Sequence, residues 1–261
     1  MAHDTQLLYV LSGLVVGVLV GLTGVGGGSL MTPLLILFFK IHPSTAVGTD
    51  LLYAAVTKTA GASTHSLARS VNWKIVGLLA IGSMPATAIV ILLLQHFGPA
   101  SPTTSKLIST SLAIALLISS TLLFLKKWLL DLAVRKSPNF GLTTSASLTI
   151  LTGFVVGALV SLSSVGAGAL GAVALAFLYP RLPTLKIVGT DIAHAVPLTL
   201  IAGLGHWWLG SINFPILGPL LVGSIPGIVA GSIAARFTPE SVLRIALAVM
   251  LAIVGLKMIL S

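Results

Sequence analysis

The chain contains no cysteine and only five acidic residues among 261. The first absence excludes disulfide staples, thiolate metal sites and thiol redox chemistry. The second belongs to a wider shortage: charged residues make up 7% of the chain, against about a quarter in a soluble domain. So little polar side chain cannot cover a water-facing surface. What is abundant is apolar, at 56% of residues and a mean hydropathy of +1.11, arranged in long runs. That is the composition of an all-α polytopic membrane protein. It excludes a soluble enzyme, a secreted disulfide scaffold and a nucleic-acid-binding domain. The 14 Lys and Arg residues give a net charge of +9 but punctuate the apolar segments, so they read as topology determinants and lipid-headgroup contacts. Residues 1–6 hold no Lys or Arg, and the apolar run that follows leads into glycines. This run is expected to belong to the mature fold and not to a cleaved signal.

The sequence repeats itself. Residues 13–31 read GLVVGVLVGLTGVGGGSLM and residues 153–171 read GFVVGALVSLSSVGAGALG, identical at eleven of nineteen positions at an offset of 140. VGTD recurs at 47–50 and 188–191, now at an offset of 141. The same offset aligns His65 with His206, Asn72 with Asn213, and GSMP (82–85) with GSIP (223–226). Shared hydrophobicity does not produce matches at Asp, His, Asn and Pro. Two homologous membrane repeats are therefore expected, at 1–126 and 140–261, joined by a basic cytoplasmic linker at 127–139.

Each half holds four pieces. The first is an apolar stretch broken by small residues: 7–22, TGVGGGS and 30–39, matched by 148–162, SSVGAGA and 170–178. The second is a more polar helix opening near VGTD, at about 44–67 and 186–206. The third, 75–95 and 215–235, carries GSxP, and the fourth covers 107–126 and 241–260. A crossing needs about 20 apolar residues, and arms of about sixteen and ten fall short of two. The broken piece is expected to be a re-entrant hairpin, which survives at that depth only if it is buried in protein or lines a cavity. Basic residues arbitrate. With Lys126, Lys127, Arg135 and Lys136 inside, the hairpin topology puts ten basic residues inside and three (Lys40, Lys106, Lys257) outside. A topology in which the broken piece crosses once gives seven against six, so the hairpin is preferred. The expected fold is two inverted repeats, each of three transmembrane helices plus one Gly-rich re-entrant (broken) helix, with both termini outside.

Inverted repeats with Gly-interrupted segments at matching positions point to a substrate site at the bilayer midplane. The first N–H groups of each second arm have no intrahelical acceptor and sit at the positive end of the helix dipole. Glycines let an anion approach that backbone closely. Gly26, Gly27, Gly28 and Ser29 are thus expected to face Gly166, Ala167 and Gly168 across an anion cradle, with hydroxyls from Thr23, Ser29, Ser163 and Ser164. The ionisable residues allow two readings each. Asp50 and Asp191, preceded by Thr49 and Thr190, fall near helix starts and are either first-turn caps or a proton or cation site coupled to transport. Lys58, with Thr199 at its counterpart, either draws an anion in or snorkels to an interface. His194 aligns with Tyr53 inside its helix and is a proton-relay candidate. His65 and His206 read as interfacial hydrogen-bonders, and Asn72 and Asn213 as caps of the third piece. The coupling or gating candidates are Thr49, Asp50, Lys58, Thr190, Asp191 and His194.

The repeated Gly-rich hairpin, the paired VGTD and the two-half layout resemble the TauE/SafE sulfite exporter family over nearly the whole chain. The resemblance implies export or uptake of sulfite, of sulfonates such as sulfoacetate, or of other small organosulfur or carboxylate anions across a prokaryotic plasma (inner) membrane. By motif it carries over onto Thr23, Gly24, Gly26, Gly27, Gly28 and Ser29, and onto Thr49, Asp50, Thr190 and Asp191. One departure makes the cradle unequal: Ser164 and Ala167 stand where the first half has Gly24 and Gly27. No catalytic residue, metal or cofactor is assigned. The expected partners are a small anion, protons as candidate co- or counter-transported ions, and membrane lipids. The resulting expectation is a secondary-active transporter working by alternating access, one half rocking against the other around the hairpin tips. A passive anion channel is the alternative; a hydrolase built on Ser63 and His65 lacks the geometry, because adjacent helix positions diverge.

Overall fold

The computed structural model describes residues 2–23, 28–64, 71–136, 141–166, 168–234, 237 and 240–260. Among them there is no strand. The first half supplies α1 (Ala2–Thr23), α2 (Gly28–Leu37), α3 (Pro43–Thr64), α4 (Trp73–Phe97) and α5 (Pro102–Lys136). The second supplies α6 (Leu142–Ser163), α7 (Ala169–Leu178), α8 (Thr184–Trp208), α9 (Phe214–Ala234) and α10 (Glu240–Leu260). Seven of these, all but α2, α3 and α7, are long and apolar enough to cross a membrane. Pro43 and Pro102 each open a helix, at the position where a missing N–H costs nothing. Asn72 and Asn213 cap α4 and α9 as expected, each side chain accepting from the N–H three residues on (3.4 and 3.2 Å). α5 continues as helix through most of the expected linker and ends at Lys136. At 1.5 Å per residue its 35 residues span roughly 52 Å, against a hydrocarbon core of about 30 Å.

The broken pieces differ from expectation in one arm. α2 and α7 have ten residues each, but α1 and α6 have 22, enough to cross by length. The chain nevertheless doubles back. The Tyr9 and Phe39 rings, from the third turn of α1 and the segment after α2, lie 4.6 Å apart. The equivalent residues of the second half, Thr149 and Tyr179, share a 2.7 Å hydrogen bond. Between Tyr9 and the end of α1 there are only about fifteen residues, roughly 22 Å of helix.

The two halves interlock. α1 packs along α9 and α4 along α6, so each tight pair takes one helix from each half. A Cβ added at Gly13, Gly17 or Gly21 would come within 2.4 Å of the backbone at Leu220, Ser224 or Ile228. Gly223, Gly227 and Gly231 return the same closeness to α1, and Gly82, Gly153 and Gly157 do so between α4 and α6. Small residues that let backbones touch are what helix association requires in lipid. The matching residue numbers rise together, so both pairs run parallel. The helices at the centre pair with their own equivalents, and antiparallel. In α3·α8, Gly48 meets His206 while Gly203 meets Leu52. In α5·α10, Ser120 donates to the Ala248 carbonyl (2.7 Å) while Gly255 meets Leu117. Each half is thus held to the other along a backbone-to-backbone seam, α1 against α9 and α6 against α4.

The outer surface is apolar, with Leu7, Val15, Ile81, Leu92, Val222 and Ile253 all exposed. Trp207 and Trp208 lie exposed at the end of α8, beside Phe214 across the turn, where aromatic side chains mark a membrane interface. His206, expected at that interface, is instead buried, its Nε2 2.9 Å from the Ser161 carbonyl.

Candidate functional site

Asp50 and Asp191 are each the eighth residue of their helix, α3 and α8. Neither therefore caps a helix start, which removes the first of their two readings. Both are buried, and each has one carboxylate oxygen, Oδ1, without a hydrogen-bond partner. Burial of a carboxylate in a protein this apolar is costly unless something offsets the charge. The offsets differ between the halves. The other oxygen of Asp50 accepts a hydrogen bond from the Thr32 hydroxyl on α2. Asp191 lies against the first turn of α7 and accepts from the Gly168 N–H. Its Oδ1 stands 1.9 Å from where a Cβ on Gly171 would sit, so only glycine admits it there.

Lys58, one residue deeper than two further turns along α3, is within electrostatic reach of Asp50, Asp191 and His194. One ammonium thus serves two carboxylates drawn from opposite halves. The junction between α6 and α7 comes to α2 at the same place. Val165 shares a core with Leu30 and Met31 of α2, and Ser164 stands beside the Asp50 carboxylate. The Ser29 and Ser164 hydroxyls are both buried; that of Ser29 makes no hydrogen bond, and that of Ser164 faces the Asp50 carboxylate. Ser164 has φ 58, and Gly166 and Gly168 both have φ 126, a left-handed backbone that turns the chain from α6 into α7.

The sequence-derived candidates separate accordingly. Asp50, Lys58, Ser164, Gly168 and Asp191 are brought together, and Ser29 is buried with a free hydroxyl at the start of α2. Ser163 turns its hydroxyl onto its own helix, donating to the Leu159 carbonyl at 2.6 Å, and is not a free donor. Thr49 and Thr190 have structural partners: each hydroxyl accepts from the backbone N–H of the opposite half's asparagine, Asn213 (3.0 Å) and Asn72 (2.9 Å). His194 Nε2 lies 2.9 Å from Ser83 Oγ, and at the matching place Tyr53 OH lies 2.7 Å from Ser224 Oγ. Thr23 ends α1, and Gly28 opens α2. Gly24, Gly26, Gly27, Ala167 and His65 lie outside the described residues. Thr32 and Gly171 were not among the candidates. Neither stands in a repeated motif, since their counterparts are Ala172 and Met31.

Comparison with known proteins supplies the family. A family model described as sulfite exporter TauE/SafE matches residues 9–258. A protein of Bacillus subtilis (strain 168) named probable membrane transporter protein YjnA is 40% identical over 255 residues, covering 96% of this chain and 98% of its own. A second from that organism, probable membrane transporter protein YdhB, is 26% identical over 97% of this chain and all of its own length. No solved structure matches the chain significantly. With its apolar spans, this makes the protein a multi-pass component of a prokaryotic plasma membrane. The family match over nearly its full length identifies the chain as a membrane transporter belonging to the TauE/SafE sulfite exporter family.

Proposed function

We propose that the protein is a secondary-active transporter of small anions: sulfite, sulfonates such as sulfoacetate, or related organosulfur and carboxylate anions. The substrate site lies between the two hairpin tips, near the middle of the membrane. One observation carries this reading. Elements that the repeat places far apart in sequence converge on a buried cluster holding one lysine, the buried hydroxyls of Ser29 and Ser164 and the starts of α2 and α7. A helix start with free N–H groups and nearby hydroxyls binds oxyanions, and the single ammonium supplies a charge of the right sign.

The reading includes two inverted repeats, each with a re-entrant hairpin. The antiparallel pairing of the equivalents α3 with α8 and α5 with α10 supports inversion, because a two-fold axis that reverses helices lies in the membrane plane. The closeness of Tyr9 to Phe39 and of Thr149 to Tyr179 supports the hairpins. Alternating access then occurs between two mixed lobes, α1–α3 with α9–α10 and α4–α8. They meet along the α3·α8 and α5·α10 pairs. Each lobe contributes one hairpin, so relative rotation opens the cluster first to one side and then to the other.

The test is a thermal-shift panel of small anions on the purified, detergent-solubilised protein. Sulfite or a sulfonate is expected to raise the melting temperature selectively, and Gly27→Leu to abolish both that shift and transport while the protein still inserts. Wild-type flux in Gly27→Leu, or a shift produced only by cations or neutral solutes, overturns the cradle.

A further inference from the structure

We propose that Asp191 is the proton-binding group of the transport cycle, and that its carboxylate and the transported anion take turns at the first N–H groups of α7. The proposal rests on the small-anion reading above. Asp191 already sits where a substrate oxyanion is expected. It accepts from the Gly168 N–H and lies over the first turn of α7, with Oδ1 in the space left by the missing side chain of Gly171. A tethered carboxylate thus occupies the second hairpin's anion position whenever Asp191 is ionised there.

The first half does not repeat this arrangement. Met31, fully buried in the hydrophobic core, stands at the position equivalent to Gly171, so the first half lacks the glycine that admits the carboxylate. Asp50 is held by the Thr32 hydroxyl, while the residue equivalent to Thr32 is Ala172. Asp191 therefore has no hydroxyl at that place on α7 to anchor it, and Lys58 lies within electrostatic reach of it. The position equivalent to Lys58 is Thr199, whose hydroxyl donates to the Ala195 carbonyl of its own helix, so the second half brings no cation of its own.

Charge balance then links the proton to the anion. With both acids ionised, Asp50, Asp191 and Lys58 sum to one negative charge. A monoanion entering alone would raise this to two, in a region where uncompensated charge is expensive. A proton from bulk water that binds Asp191 Oδ1 cancels its charge and releases the α7 N–H groups. The anion that takes them returns the site to one negative charge, so proton and anion enter and leave together. The other titratable groups facing the cluster are already engaged. On α3 these are Tyr53, bonded to Ser224, and Lys58; on α8 they are His194, bonded to Ser83, and His206, bonded to Ser161. α2, α6, α7 and α9 carry no ionisable side chain, and Lys74 and His96 of α4 and Lys106, Lys127 and Asp131 of α5 are exposed.

The experiment is uptake into proteoliposomes of sulfonates and small carboxylates that stay ionised across neutral pH, with and without an acid-outside gradient. Sulfite is unsuitable because it gains a proton itself in that range. The wild type is expected to accelerate several-fold with the gradient. Asp191→Asn is expected to carry the anion downhill with no gradient response. Gly171→Ala should behave alike, because its methyl group displaces the carboxylate and little else. Asp50→Asn is expected to slow but to keep its response, and the exposed Asp131→Asn to match the wild type. A wild-type anion flux indifferent to the gradient overturns the proton proposal alone, as does a retained response in Gly171→Ala or its loss in Asp50→Asn only. No flux of any of these anions overturns the transporter reading instead. If Asp191→Asn does not fold, Gly171→Ala decides.

Discussion

Thr49 and Thr190 illustrate how one motif can mix two jobs. In each VGTD the aspartate lies in the charged cluster, while the threonine before it receives the N–H of an asparagine that starts a helix. The repeat made both residues visible in the sequence, but adjacent helix positions point in different directions, and only the fold separates them. Replacing Thr49 by Val is expected to lower stability by about 0.6 kcal/mol, the average for such bonds in membrane proteins, without changing anion affinity. Thr190→Val should cost a similar amount, with the double variant summing the two because the sites share no partner. Melting in detergent, followed by anion titration, reads both quantities; a large affinity loss in Thr49→Val would return that residue to the site. Thr32 and Gly171 were illegible for the opposite reason. Their roles arise where the halves differ, and a search for repetition passes over differences.

At the scale of the element, the glycine spacing of α1 carried two messages in one run. Gly24 to Gly28 raised the expectation of an interruption, whereas Gly13, Gly17 and Gly21 form the face that touches α9. Sequence alone assigned the former and had no means to name the partner of the latter. The same lack of a partner made α1 look short: its apolar core reads as sixteen residues, but helix continues back to Ala2. Gly17→Val drives a side chain into the Ser224 carbonyl, which lies 2.4 Å from the Cβ position. It is expected to destabilise by about 1–3 kcal/mol or to prevent assembly. Gly77→Ala, in open space on α4, is expected to be neutral or to stabilise by up to about 1 kcal/mol through helix propensity. Thermal unfolding of the two variants side by side checks the seam, and equal stability would mean that α1 and α9 do not pack as described.

For the whole molecule, composition was sufficient for the membrane class, and internal repetition raised the expectation of two halves with broken helices at matching positions. They did not reveal that the halves exchange helices. The offset of 140 or 141 relates equivalent residues, and equivalence says nothing about which pairs touch. Contact between α1 and α9 or between α4 and α6 joins non-equivalent elements, so the lobes proposed above cut across the repeat boundary. The central claim is that these lobes carry a small anion between them, one at a time. Trans-stimulation in proteoliposomes tests it most directly: uptake of a labelled sulfonate is measured with and without unlabelled sulfonate trapped inside. Uptake is expected to saturate with external concentration and to speed up several-fold when the interior is loaded, as a reorienting site requires. Uptake that rises linearly and ignores the trapped anion would contradict it and identify a passive pore.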